Sequence, residues 1–333
     1  MSAKRPLSSV FHADRQKDHQ SDQPGNGRKR GKKKAVVLLF FCLTLVFFLA
    51  SLASTQFLNQ KPVPLPALLK PVGDVVIVTA PGFDTCVAPP APLLKTWWSA
   101  SPYRWLNVYL GGASMFPDCG GKNLTPEWVN TVYEQGWSLL PTWVGPQAPC
   151  AAQHTVMSNN PLSSYVQGQA EADAASDAAS KLNFSSTAPI YFDLEHFNPT
   201  RPDGSLDRAC IQAVNTFLNG WNDELTARNH LAGVYASASN YPVLGSSIMA
   251  ASVVAWIAGG GSWTGTYNHL CTVYGNTYVP DSDWSAHQRI YQYTGGHDET
   301  YGQKTWNIDS DCADAPMVGH ATTMPVVLQF QHS

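Results

Sequence analysis

The sequence predicts an α/β protein. The expected architecture is a single (β/α)8 TIM-type barrel, with a short or missing last helix, preceded by an N-terminal transmembrane or signal segment. Three observations point there. Eight short strand-like runs recur from Asp74 onward, and helical stretches separate most of them. The acids gather at the ends of those runs, where a barrel of this kind assembles its chemistry. A doubly wound open sheet is the alternative, but it would usually carry a glycine-rich phosphate loop, and none is present.

The elements follow in order. Residues 75–84 form a strand that runs into Pro81-Gly82-Phe83-Asp84, and residues 93–100 a short helix. A second strand covers 104–112. Thr125-Pro126-Glu127 then opens a helix, with a capping residue followed by proline at the first position. Residues 137–145 are the third strand, and the alanine-rich stretch 163–182 a close-packing helix. The fourth strand is Pro189-Ile190-Tyr191-Phe192-Asp193-Leu194-Glu195-His196. Apolar residues at Ile211, Val214, Phe217, Leu218, Trp221 and Leu225 mark a helix over 206–228 by their period. Strands five to eight fall at 231–237, 253–259, 288–295 and 304–311, and residues 317–333 are weakly patterned. The barrel is therefore expected over 74–316, with a tail over 317–333.

Side chains alternate across a strand. Ile190, Phe192 and Leu194 share one face, while Tyr191, Asp193 and Glu195 share the other. The two acids stand about 7 Å apart along one strand end, and no Lys or Arg lies within five residues of them. Grouped acids without a countercharge have pKa values pushed apart, as acid–base chemistry requires. Asp84 ends the first strand, and Asp309 and Asp311 end the eighth, its neighbour at barrel closure. Tyr109, Trp143, Tyr235, Trp256 and Tyr293 fall at the same ends. Acids ringed by aromatics suit a sugar, whose apolar face stacks on rings while its hydroxyls bond carboxylates. Weaker groupings carry less: His297-Asp298-Glu299 reads as a solvated loop, and Gly259-Gly260-Gly261 as loop flexibility. The body has no CxxC, zinc-type spacing or GxSxG motif, so the sequence implies no metal and no cofactor.

Charge is unevenly placed. Residues 1–34 carry ten Lys/Arg and three Asp, leaving eleven basic and twenty-one acidic residues, near −10, in the remainder. An acidic body argues against nucleic acid as partner. Residues 35–53 are uncharged and long enough to span a bilayer. The basic cluster before them favours a cytoplasmic N-terminus. The sequence thus predicts a basic tail over 1–34, a signal-anchor over 35–54 contacting the membrane through 35–53, and a Pro-rich spacer over 55–73. The rival is a cleaved signal peptide, with Ser51-Leu52-Ala53 as the cleavage site. Both place the body outside the cytoplasm. Cys86, Cys119, Cys150, Cys210, Cys271 and Cys312 agree: six body cysteines in an exported domain allow three disulfides in any of fifteen pairings.

The body resembles the glycoside-hydrolase-like domain known as domain-of-unknown-function family 1906, a family distantly similar to the glycoside hydrolase family 25 muramidases. The resemblance covers roughly Val76 to Asp314. It rests on Gly82-Phe83-Asp84, on Pro189 to Glu195, on Gln292-Tyr293 and on Asn307-Ile308-Asp309, with the alanine-rich helix before the fourth strand. It implies a pocket of Asp84, Asp193, Glu195 and Asp309. Tyr109, Trp143, Tyr191, Tyr235, Trp256, Gln292, Tyr293 and Asp311 are the residues expected around the substrate. Glu195 matches the proposed general acid, and Asp193 the residue that supports an intermediate formed by the sugar's own N-acetyl group. Asp84 and Asp309 would hold up the pKa of Glu195 through like charge. The expected partner is a β-linked N-acetyl-aminosugar polymer such as peptidoglycan. The alternative is a cell-wall-associated, carbohydrate-binding protein without turnover.

Overall fold

The runs read from the sequence become eight strands in the order β1 to β8, closing on themselves as one barrel. The computed structural model describes residues 71–151, 155–244, 253–259 and 271–320, all within one compact unit spanning 68–333. The expected tail, span and most of the spacer lie outside the described residues. Among the described residues no helix is long and apolar enough to cross a membrane.

The strands are β1 (Asp74–Asp84), β2 (Trp105–Gly111), β3 (Ser138–Trp143), β4 (Ile190–Leu194), β5 (Ala232–Ser237), β6 (Val253–Ala258), β7 (Arg289–Tyr301) and β8 (Lys304–Gly319). Among the described residues four α-helices accompany them: α1 (Ala91–Ala100), α2 (Pro126–Glu134), α3 (Pro161–Lys181) and α4 (Arg208–Ala227). Their starts follow from local chemistry. The Thr125 hydroxyl accepts from Trp128 N at 3.2 Å and Pro126 takes the first helical position, so α2 opens where the sequence predicts. Asn160 and Asp207 cap α3 and α4 in the same way.

The last third departs from the (β/α)8 expectation. β1 to β7 run parallel, but β8 pairs antiparallel with both β7 and β1. β7 and β8 are the arms of one long hairpin, joined by Gly302 and Gln303 at φ 55° and 63°. Left-handed backbone at both turn residues matches the twist of an antiparallel pair. No α-helix stands between β7 and β8, nor among the described residues after β8, which continues to Gly319, past the expected barrel end at 316.

Alternation sorts the side chains into two layers. Phe83, Leu106, Leu139, Ile190, Phe192 and Val234 face outward and pack with Leu94, Trp97, Val129, Ala175, Phe217 and Trp221 of the helices. Trp105, Tyr191 and Trp256 face inward and fill the barrel with Val78, Leu140, Ile290, Ala313 and Met317. A buried aromatic of this size contributes up to about 5 kcal/mol from area alone. Two glycines make room for them. A Cβ at Gly82 would stand 2.0 Å from the Trp105 ring, and one at Gly233 would stand 2.2 Å from the Tyr191 ring. Three disulfides then tie loops to the frame: Cys86–Cys119 joins the loops after β1 and β2, Cys150–Cys210 holds the loop after β3 to α4, and Cys271–Cys312 fixes the approach to β7 onto β8.

Candidate active site

β4 is five residues long and ends at Leu194. Asp193 is its inward acid, 4 % exposed, and Glu195 is the first residue beyond the strand and exposed. The backbone between them is held by Gln147, from the loop after β3. Its Oε1 accepts from Glu195 N at 2.8 Å, and its Nε2 donates to Asp193 O at 2.9 Å and Gly145 O at 3.0 Å. Gln147 is itself buried. Farther along, Asn240 grips Phe197 at both backbone atoms, so the chain leaving β4 is clamped twice.

The acids of β1 and β8 come together by register: Asp84 lies directly opposite Asp309, and Gly82 opposite Asp311. Strand-end placement brings Asp84 to the mouth as expected, but Asp309 and Asp311 lie in the middle of β8, because that strand runs down the barrel. A polar chain crosses between them. The Tyr235 hydroxyl donates to Gln292 Oε1 at 3.1 Å, and Gln292 Nε2 donates to Asp84 Oδ2 at 2.7 Å and Asp309 Oδ2 at 3.5 Å. Trp256 Nε1 donates to Asp311 Oδ1 at 2.8 Å. Asp84 and Asp311 stand near enough on the inward face for the charge of Asp311 to raise the pKa of Asp84. Asn107 Oδ1 accepts from Thr85 N and fixes the loop that leaves Asp84.

Burial dominates the electrostatics. It pushes Asp84, Asp193 and Asp311 well above the usual carboxylate range. For Asp193 the charge of Glu195 adds to burial, and a bond from the Tyr109 hydroxyl opposes it. Glu195 is also raised, first by desolvation of the part that faces protein and then by the charge of Asp309; the backbone N–H and charge of His196 counter this. Asp309 is raised by burial and eased by Gly296 N–H and His297. Asp309, not Asp84, is thus the like charge that acts on Glu195. Chemically, the arrangement offers one solvent-reaching acid with a raised pKa beside a buried carboxyl and a set of fixed donors.

The remaining expected residues divide by strand face. Tyr109 and Tyr235 are half-buried beside the acids, and both feel the charges of Asp193 and Asp84. Tyr191 and Trp256 lie deeper, inside the barrel: the Tyr191 hydroxyl donates to Pro316 O, and Trp256 lies edge-on to Trp105, Tyr191 and Tyr235. Trp143 and Tyr293 turn outward. Trp143 Nε1 donates to Glu171 Oε2 at 2.6 Å on α3, and Tyr293 packs with Val273 and Cys312. Each follows an inward residue, Thr142 or Gln292, so alternation sends it away from the mouth. Gln147 and Asn107 are residues that the sequence reading missed. Gly145-Pro146-Gln147 directly after β3 is the only local signal, and it does not say what the amide grips. Among the described residues no group of His, Cys, Asp and Glu could hold a metal ion.

Comparison with known proteins places this geometry in context. Residues 95–313 match the family model described as Rv2525c-like, glycoside hydrolase-like domain. No curated protein matches the chain. An uncharacterised B. stearothermophilus protein is 17 % identical over 70 % of this chain and 95 % of its own, with a TM-score of 0.47. The Tat-secreted Rv2525c of Mycobacterium tuberculosis is 14 % identical over 71 % and 96 %, at 0.44. A lysozyme from Streptomyces coelicolor is 18 % identical over 71 % and 92 %, at 0.42.

Proposed function

Because that family model matches well over half of its length, the chain belongs to the Rv2525c-like, glycoside hydrolase-like family, and from that premise we propose that it is an extracytoplasmic glycosidase acting on β-linked N-acetyl-aminosugar polymers such as peptidoglycan. One observation carries the reading: Asp193, Glu195 and Asp309 gather from two strands around a single mouth, and the pKa of Glu195, the acid open to solvent, is raised by burial and by the charge of Asp309. A raised carboxyl at the mouth is what protonation of a leaving glycosidic oxygen needs.

In this reading Glu195 is the general acid. Asp193 stands behind it with Oδ1 buried and without a hydrogen-bond partner. An acetamido N–H would satisfy that oxygen and be oriented by it, which suits a reaction assisted by the substrate's own N-acetyl group. Two acids on one strand end favour that course over a scheme needing carboxylates on facing walls. Gln147 keeps the backbone of the pair from shifting during the reaction. Tyr109 and Tyr235 supply rings and hydroxyls to the sugar. Three disulfides fit the oxidising compartment that such a substrate implies, and residues 35–53 would anchor the chain to the membrane.

The test is release of reducing ends from peptidoglycan by the purified full chain. Glu195→Gln should lower the rate at least about 100-fold while leaving glycan binding in place. Saturable binding with no product over long incubation would instead make the protein a glycan-binding member of its family.

A further inference from the structure

We propose that one edge of the buried Arg289 guanidinium, the Nε–Nη2 edge, holds a small carboxylate, with the Trp284 indole N–H as flanking donor. The site lies at the start of β7, the end opposite the mouth, and does not depend on the glycosidase reading.

Arg289 is the first residue of β7, and Ile290 beside it faces into the barrel. Alternation therefore turns Arg289 outward. No α-helix stands there between β6 and β7 among the described residues. Residues of the approach to β7 pack against the side chain instead, and its exposure is 0 %. Nη1 donates to Pro280 O at 2.9 Å and to Asp283 O at 3.0 Å, and the guanidinium carbon lies 5.1 Å from the centre of the Tyr274 ring. Those two carbonyls use both hydrogens of Nη1. Nε and Nη2 are buried and meet no acceptor among the described residues. They share one edge of the planar group, because Nη2 is the terminal nitrogen on the Nε–H side. Two parallel N–H bonds from that edge match the two oxygens of a carboxylate.

The same edge lacks a countercharge. Ion pairs among the described residues take Arg201 and Arg228 but not Arg289. Asp281 and Asp283 act on it only through space, and burial outweighs them. Their carboxylates are engaged elsewhere: Asp281 Oδ1 accepts from Gly275 N at 2.7 Å, and Asp283 Oδ1 from Ser282 Oγ at 3.1 Å. Residues 245–252 and 260–270 contain no Asp or Glu. A buried charge is costly unless it is paired and hydrogen-bonded.

Trp284 adds to the imbalance. It follows Asp283 in the chain, lies edge-on to Tyr241 with ring centres 5.4 Å apart, and keeps its place with a left-handed backbone, φ 51°. Its Nε1 is buried and also meets no acceptor among the described residues. From 271 to 289 the buried side-chain atoms without partners are thus all N–H donors. A water could accept from them but would bring two hydrogens of its own that need acceptors, whereas an ionised carboxylate only accepts.

Urea unfolding of the full chain, with disulfides intact and tryptophan fluorescence as readout, tests the site. Sodium formate replaces sodium chloride at constant ionic strength. Formate presents two oxygens to the edge, and chloride cannot. Above half-saturation the wild-type unfolding constant should fall about tenfold for each tenfold rise in formate, as one site requires. Arg289→Lys keeps the charge but loses the fork, so its unfolding constant should be the same in both salts. Trp284→Phe keeps the fork and should need about tenfold more formate for the same effect, the loss of one bond to a charged group. Equal wild-type stability in formate and chloride would overturn the site as a general salt effect. A formate response unchanged in both variants would overturn it by placing the binding elsewhere. Should Arg289→Lys fail to fold, Trp284→Phe still decides, because its half-saturation reads the site with the guanidinium intact. No glycan enters the measurement, so its failure and the failure of turnover are separable.

Discussion

Replacing Gln147 with leucine should destabilise the barrel by about 3–5 kcal/mol, although its side chain bonds backbone atoms and not the carboxyls of Asp193 and Glu195. The magnitude follows from what the side chain does. It is 1 % exposed and makes three bonds, at 2.8, 2.9 and 3.0 Å, to Glu195 N, Asp193 O and Gly145 O. Leucine fills a similar volume, so the cavity contribution is small. Its apolar branch, however, closes the site to water while leaving one N–H and two carbonyls without partners. Each such partner costs about 1–1.5 kcal/mol, and the three act together. Guanidinium unfolding followed by tryptophan fluorescence, with disulfides intact, measures the change. The same variant should lose most glycan turnover, because the hydrogen bonds that hold the ends of the Asp193–Glu195 segment are gone. A loss below about 1 kcal/mol would refute the reasoning: it would mean that β4 keeps its end without the amide.

Two further outcomes follow. Asp84, Asp193, Glu195, Asp309 and Asp311 all have folded-state pKa values raised chiefly by burial; the folded protein therefore holds protons that the unfolded chain releases near pH 4. Their stabilising contribution is full below that pH and is lost as pH rises through the folded values. His230, lowered by burial, works in the opposite direction as a single group. Calorimetry should thus show Tm falling between pH 5 and 7, and a Tm rising steadily over that range would contradict the burial of the acids. Separately, Cys150→Ser with Cys210→Ser opens a loop of 60 residues and should cost about 4 kcal/mol by chain entropy. Urea unfolding would measure it, and a change under about 1 kcal/mol would show that the loop after β3 is held by other contacts.

Much of the frame was legible because alternation and capping are local. Ile190, Phe192 and Leu194 had to face helices, and Thr125-Pro126 had to start one. Strand direction is not local. Nothing in Lys304–Asp311 says whether the run climbs or descends the barrel, and the outer part of β7, His297 to Tyr301, reads as a polar loop because its side chains alternate in and out of solvent. The one clue was Tyr301-Gly302-Gln303-Lys304, a two-residue turn whose Gly-Gln pair is a weaker hairpin signature than Asn-Gly. The site shows the same division. Asp84, Asp193, Glu195 and Asp309 could be found as acids at run ends. Trp143 and Tyr293 were placed at the mouth by nearness along the chain, when their parity sends them outward. Gln147 could not be found, since its partners lie up to 48 residues away and only the closed sheet brings them to it.

The descending last strand also sets an order of assembly. β8 fits between β7 and β1 and is antiparallel to both, so until the chain has been made through residue 319 the first strand has no partner along most of its length. β1 and β2 share only two register positions, Gly82 with Trp105 and Phe83 with Leu106. A nascent chain therefore carries an open sheet edge and three acids without the two that complete their surroundings. The polar surroundings of the mouth are complete only when the last strand slots in.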